Sequence, residues 1–190
     1  MQLERFDYWQ IIRAFDPKNL IFIDESGVNL CLNRLLARAL KGQRARGNRP
    51  SNRGKNVSVI GALSLKGVIA QVSLLGSTDG LTFEAFIAQR LVPQLWPGAC
   101  VLMDNCSIHR GAEIRALIEQ AGATLIYLPR YSPDFSPIEN AWTKIKQILR
   151  SIKARNYPDL ALALESAFNQ ISLENIRNWF SHCCCCISLE

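Results

Sequence analysis

No run of about 18 apolar residues occurs in the 190-residue chain, which excludes a membrane-crossing helix of ordinary length. The opening stretch MQLERFDYW is charged and aromatic, unlike a signal peptide. Even cysteine spacing is also lacking: seven cysteines stand at 31, 100, 106 and 183–186, so reduced thiols fit better than a disulfide framework. The tail from Cys183 to Cys186 holds a Cys-x-x-Cys pair, but no second pair exists to close a zinc site. Internal repeats and linkers are absent as well. These absences lead to the expectation of a cytoplasmic protein with no membrane partner and a single domain, and a 48% hydrophobic content is enough for one substantial core.

Acidic residues are missing from one stretch in particular. Arg34, Arg38, Lys41, Arg44, Arg46, Arg49, Arg53 and Lys55 follow one another without a single Asp or Glu between them. Those eight charges exceed the net charge of +6, so the rest of the chain sums to −2. A solvated basic loop would explain the run by itself. The glycines and asparagines among the charges (Gly42, Gly47, Asn48, Asn52, Gly54) suit a segment that lies along a phosphate backbone, and the pI near 9.1 favours a polyanionic partner. Neutralising Arg44, Arg46 and Arg49 is expected to weaken DNA binding alike for all sequences.

Hydrophobic periodicity orders the elements. Residues 3–15 predict a helix facing inward through Leu3, Phe6, Trp9 or Ile12 and stopped by Asp16-Pro17. Leu20 to Ile23 predicts a buried strand ending at Asp24. Val57 to Leu65 and Val68 to Leu75 predict a hairpin turning at Lys66-Gly67. A helix over 82–91, a buried strand over 99–103 ending at Asp104, a helix over 110–121, a strand over 124–128 and three helices near 138–153, 158–170 and 172–181 follow. The order predicts an α/β fold, a mixed central sheet of about five strands flanked by helices.

Three carboxylates carry the chemistry. Asp24 and Asp104 each end an apolar strand, and open sheets collect ligands outside their strand ends. Either could simply begin a turn. Glu139 could simply cap a helix, since Ser136-Pro137-Ile138-Glu139 reads as a capping box. The helix it opens nevertheless sorts its faces: Ile138, Trp142, Ile145, Leu149 and Ile152 form an apolar stripe, and Glu139 shares the neighbouring face with Thr143, Lys146 and Arg150. Hard oxygen ligands select Mg²⁺ or Mn²⁺, and three carboxylates can hold two such ions for in-line phosphoryl transfer. Asn105 and His109, beside the second Asp, are candidates to orient a ligand or a phosphate. Lys144, Lys146, Arg150 and Lys153 would join the basic loop in flanking the triad.

The motifs FIDESG (22–27), MDNCSIH (103–109) and LPRYSPDFSPIEN (128–140), with thirty-four residues between Asp104 and Glu139, give the chain a family likeness. It resembles the catalytic domain of bacterial insertion-sequence transposases related to the mariner group, the DDE superfamily endonucleases, whose fold is ribonuclease H-like. The resemblance implies Asp24, Asp104 and Glu139 as catalytic metal ligands, with Asn105, His109 and Asn140 in support. It also implies two Mg²⁺ or Mn²⁺ ions, double-stranded DNA as substrate, and cleavage at transposon ends followed by transfer of the 3′-hydroxyl into target DNA. Residues 1–18 then form a helix leading into a catalytic domain over 19–190, while the helix-turn-helix module of such proteins is absent or supplied by a separate chain, and the working form is a homo-oligomer on DNA. Arg130 and Ser136 depart from the usual Pro and Asn, and the run of cysteines departs from an ordinary family ending. A DNA-binding remnant without activity, or a ribonuclease or junction resolvase of the same fold, are the other readings.

Overall fold

The computed structural model describes residues 2–34, 36–48 and 50–183. Arg49 of the basic run and the cysteines at 184–186 lie outside the described residues. One five-stranded mixed sheet forms the centre, in the order β3 (Gly67–Leu75), β2 (Val57–Ser64), β1 (Leu20–Val28), β4 (Cys100–Met103) and β5 (Thr124–Tyr127). The first three strands are antiparallel neighbours, and β4 and β5 run parallel to β1.

Strand β1 departs from its predicted length. It continues past Asp24 to Val28, because the antiparallel ladder with β2 runs from Ile21 opposite Ser64 to Val28 opposite Val57. A window of one strand's hydrophobicity cannot reveal that pairing; only the partner makes the polar residues Asp24, Glu25 and Ser26 part of the strand. The hairpin also turns one residue earlier than expected, at Leu65-Lys66, with Gly67 at φ 133 opening β3. That φ is one for which glycine has no steric cost.

Residues alternate across the sheet with the period of a strand, so the two sides bury different sets. On one side Phe22, Leu63 and Leu102 pack under α4 (Pro137–Ile152), α5 (Tyr157–Asn169) and α6 (Leu173–Cys183). On the other, Ile21, Ile23, Val101 and Met103 pack under α2 (Gly80–Phe86) and α3 (Ala112–Gln120). Phe83, Phe86, Ile87 and Leu91 are all buried as their spacing predicts, although the helix relaxes into a π-type turn from Ile87 to Leu91.

Helix α4 buries Ile138, Trp142, Ile145 and Leu149, roughly 1.5–3 kcal/mol for each large side chain removed from water. Ile152, the predicted fifth member of the stripe, is 45% exposed, because the helix ends there with Lys153 in a left-handed conformation. Helix α1 (Gln2–Ile12) turns inward through Ile12 and the half-buried Trp9 of the predicted face, but Leu3 and Phe6 are exposed and Tyr8 is buried instead. The reason is Phe135, whose ring stacks on Tyr8 at 5.2 Å and meets Trp9 edge-on at 5.4 Å. Among the described residues no helix is long and apolar enough to cross a membrane.

Candidate active site

Parallel pairing of β1 with β4 matches Phe22 to Leu102, and two residues further along each chain stand Asp24 and Asp104. Both continue the alternation of Phe22 and Leu102, so both face the side of the sheet that α4 covers. Glu139 projects from the first turn of α4, and the three acids line one cleft together with Asn105, Arg130 and Tyr131. The capping box expected around Glu139 does not form: Ser136 occupies the N-cap position without a side-chain hydrogen bond, and only its carbonyl accepts from the Glu139 amide, at 3.2 Å.

Asp24 is the more enclosed acid, half-buried where Asp104 and Glu139 are exposed. Its Oδ2 accepts a hydrogen bond of 2.9 Å from Trp142 Nε1. The strand position opposite Asp24 is Gly61, where a Cβ would lie 2.9 Å from the Trp142 ring, so the glycine leaves room for the indole to reach the acid. Burial, and next the charge of Glu139, push the Asp24 carboxyl up to about 7, against the opposing pull of the Glu25 amide and the Trp142 N–H; Asp104 adds to the upward push. Asp24, with the charges of Glu139 and Asp104 that raise its proton affinity, forms a donor set that a divalent cation would satisfy, and oxygen-only ligands suit Mg²⁺ or Mn²⁺.

Asp104 is exposed and is managed differently. His109, at 2% side-chain exposure, brings Nδ1 to 2.5 Å from Asp104 Oδ1, and its Nε2 lies 3.7 Å from Glu25 Oε1. Its ring lies 4.2 Å from that of Phe83 in α2. Burial opposes a charge on this imidazole, but the close contact with Asp104 and the neighbouring Glu25 carboxylate outweigh it and raise the histidine to about 9. The same His109 contact holds Asp104 below the usual carboxylate range. The histidine is thus neither a surface residue nor a cap; it is a buried cation between two acids. Asp104, Cys106 and His109 also bring donor atoms within 4.8 Å of one another, but the close His109–Asp104 contact occupies the atoms that such a softer site would need.

The remaining candidates divide. Asn105 lies in the cleft and accepts from Arg110 Nε at 2.6 Å. Asn140 is not in the cleft: its amide donates to Cys183 Sγ at 3.2 Å, toward α6. Arg34, Arg38, Lys41, Arg44, Arg46, Arg53 and Lys55 are exposed in a segment without regular structure, whose ends are pinned by Arg155 to Leu30 O at 2.9 Å and by the Lys55 amide to Tyr157 Oη at 2.7 Å. Arg34, Lys144 and Arg150 share a groove with Leu36; Lys146 is half-buried on α4 outside it, and Lys144 bonds to Asn175. Trp142, Glu25 and Gly61 escaped the sequence reading. The signal for Trp142 was available, since a buried indole N–H needs an acceptor and Glu139 stands one turn before it.

A mixed sheet in the order β3-β2-β1-β4-β5, with acids gathered just past the parallel pairing of β1 with β4 and a helix supplying the third, is a ribonuclease H-like fold. The chain belongs to the DDE superfamily endonucleases, whose sequence pattern matches residues 19–161. A Caenorhabditis briggsae protein, the transposable element Tcb1 transposase, is 24% identical over 130 residues, which span 65% of this chain and 47% of that protein. The structure is similar to the Mos1 transposase paired-end complex with the left transposon end, at TM-score 0.76 and 18% identity over 95% of this chain and 58% of the Mos1 chain. The catalytic domain of Mos1 mariner transposase matches at TM-score 0.67 and 16% identity, over 94% of this chain and 84% of that one. At such identities the likeness to these structures is one of fold, and the chain spans about half the length of the curated relative.

Proposed function

We propose that this chain is the catalytic domain of a DNA transposase, and that Asp24, Asp104 and Glu139 hold two Mg²⁺ or Mn²⁺ ions while phosphodiesters are cut at transposon ends and the 3′-hydroxyl is joined to target DNA. The observation that carries the reading is the meeting of three acids from β1, β4 and α4 in one cleft, where burial and then the charges of Glu139 and Asp104 lift Asp24 to about 7. When bound, such ions activate the attacking oxygen and neutralise the leaving one. The protein's own residues prepare for this. Trp142 fixes one oxygen of Asp24, His109 fixes one oxygen of Asp104, and Glu139 stays exposed and unbound to the helix cap. Arg34 and Arg150, with the exposed cations of the basic segment, supply positive charge for the DNA backbone without reading bases.

Double-stranded DNA is therefore the partner, held by a homo-oligomer assembled on it, with sequence recognition supplied by a helix-turn-helix module in the same or a separate chain. The test is Mg²⁺- or Mn²⁺-dependent nicking and strand transfer on duplex DNA, with Asp104→Ala as the control. Activity lowered by at least about a thousandfold in the variant is expected, since the metal supplies several kcal/mol of charge stabilisation. Equal activity in both proteins would reject the carboxylate site. Silence from both with DNA binding retained would favour the remnant reading.

A further inference from the structure

Tyr131 is the most conspicuous residue of the cleft that the proposed chemistry does not use. Its side chain is 89% exposed, and its backbone adopts φ 55, in the left-handed region. For a bulky residue that conformation is strained, and glycine or asparagine would adopt it with less strain. The surroundings hold it in place. Arg5 Nη1 donates to Ser132 Oγ at 2.9 Å and its Nη2 pairs with Asp134 Oδ2 at 2.5 Å, while its guanidinium lies 4.1 Å over the Phe135 ring. Ser132 Oγ in turn donates to Arg130 O at 3.3 Å, and Leu128 and Phe135 anchor the loop on either side in the core. A rigid, clamped loop thus keeps a strained aromatic in water at the rim of the triad cleft. Strain of this kind persists at sites where the displayed side chain is used.

The charge around the ring indicates what it meets. Arg130 and Arg110 line the triad cleft beside it, and both also line a second groove that runs on to Arg115 at the start of α3. A strand leaving the three acids along this path would have guanidinium groups for its phosphates and one flat aromatic face for a base. We infer that Tyr131 is a stacking platform for an unpaired DNA base next to the phosphate held at the triad, with Arg130 and Arg110 holding the backbone of that same strand. This rests on the proposed function, since it takes DNA to be the occupant of the cleft. It adds that the DNA is locally opened there, because a paired base presents no free face.

The test is an equilibrium double-mutant cycle with Ca²⁺ in place of Mg²⁺, so that no cleavage is required. The probe is a nicked duplex with one nucleotide beside the nick left unpaired, compared with the same duplex made abasic at that nucleotide. Tyr131→Ala and the abasic change should each weaken binding by roughly 5- to 100-fold, the range of one base–aromatic stack, and the two together should weaken it no further than either alone. Tyr131→Phe should bind as the wild type does. Tyr131→Gly should lose binding like the alanine variant while its Tm stays equal or rises, which separates the stacking role from a folding role. Additive losses, or no loss from Tyr131→Ala, would overturn the stacking role while leaving the transposase reading intact. Failure of the wild type to bind any duplex would overturn both.

Discussion

Two acids at neighbouring strand ends receive opposite treatment. Asp24 is half-buried, receives a single indole N–H, and faces two other carboxylates; Asp104 is exposed and has a buried imidazolium as its partner. The first is thereby about half protonated at pH 7, and the second stays ionised below the usual carboxylate range. The difference shows how one cleft can remain stable without metal while retaining an anion to receive one. A site with three fully ionised carboxylates would strain the fold, and one with three neutral acids would have little attraction for a cation.

Removing the half-buried charge should produce the largest effect. Asp24 has a folded pKa of about 7, raised above its ordinary value of 3.8, so its contribution to stability is fully present below pH 4 and is lost as the pH rises through 7. Asp24→Asn should therefore stabilise the metal-free protein at pH 8, by at most about 4 kcal/mol, and leave it little changed at pH 4. Thermal unfolding in EDTA at the two pH values measures this, and a variant less stable than wild type at pH 8 contradicts it.

Equalising the two acids from the other side is the next test. His109→Ala deprives Asp104 of its imidazolium, and loss of such a supporting partner commonly costs about 10- to 100-fold in metal affinity. The sign of its stability effect is also fixed. The folded histidine is raised to about 9 from 6.5, so it stabilises fully below pH 6.5 and its contribution disappears as the pH rises through 9. The variant should consequently be more destabilised at pH 6 than at pH 9.5; equal losses at both would show that His109 only fills space against Phe83.

A smaller effect should follow from Trp142→Phe. A smaller aromatic ring keeps part of the packing while the hydrogen bond to Asp24 is lost, a bond to a charged group worth about 1.5–3 kcal/mol. Asp24 would then ionise at higher pH, and the pH midpoint of Mn²⁺ uptake should move upward by about one unit. An unmoved midpoint would mean that the indole serves the core alone.

The same comparison marks what the sequence could reveal. Both buried strands were legible because Leu20–Ile23 and Cys100–Met103 are unbroken apolar runs, and the acids that follow stand out against them. The sheet order, and hence the adjacency of Asp24 and Asp104, needed the partners of each strand, as did the continuation of β1 to Val28. The burial of His109 was not legible because it depends on Phe83 and Glu25, which lie 26 and 84 residues earlier in the chain. Asn140 read as a neighbour of Glu139, but consecutive helical residues point about 100° apart, and this one meets α6. The φ of Tyr131 has no sequence signature, since nothing in Arg130-Tyr131-Ser132 announces a left-handed turn.

Mn²⁺ binding to the wild type and to Asp104→Ala at pH 8, measured by titration calorimetry with the proton release followed in buffers of different ionisation enthalpy, tests the carboxylate centre most directly. The account predicts uptake by the wild type that strengthens from pH 6 to pH 8 with loss of a proton from Asp24, and little or no uptake by the variant. Uptake that is equal in the two proteins, or indifferent to pH across that interval, would contradict it.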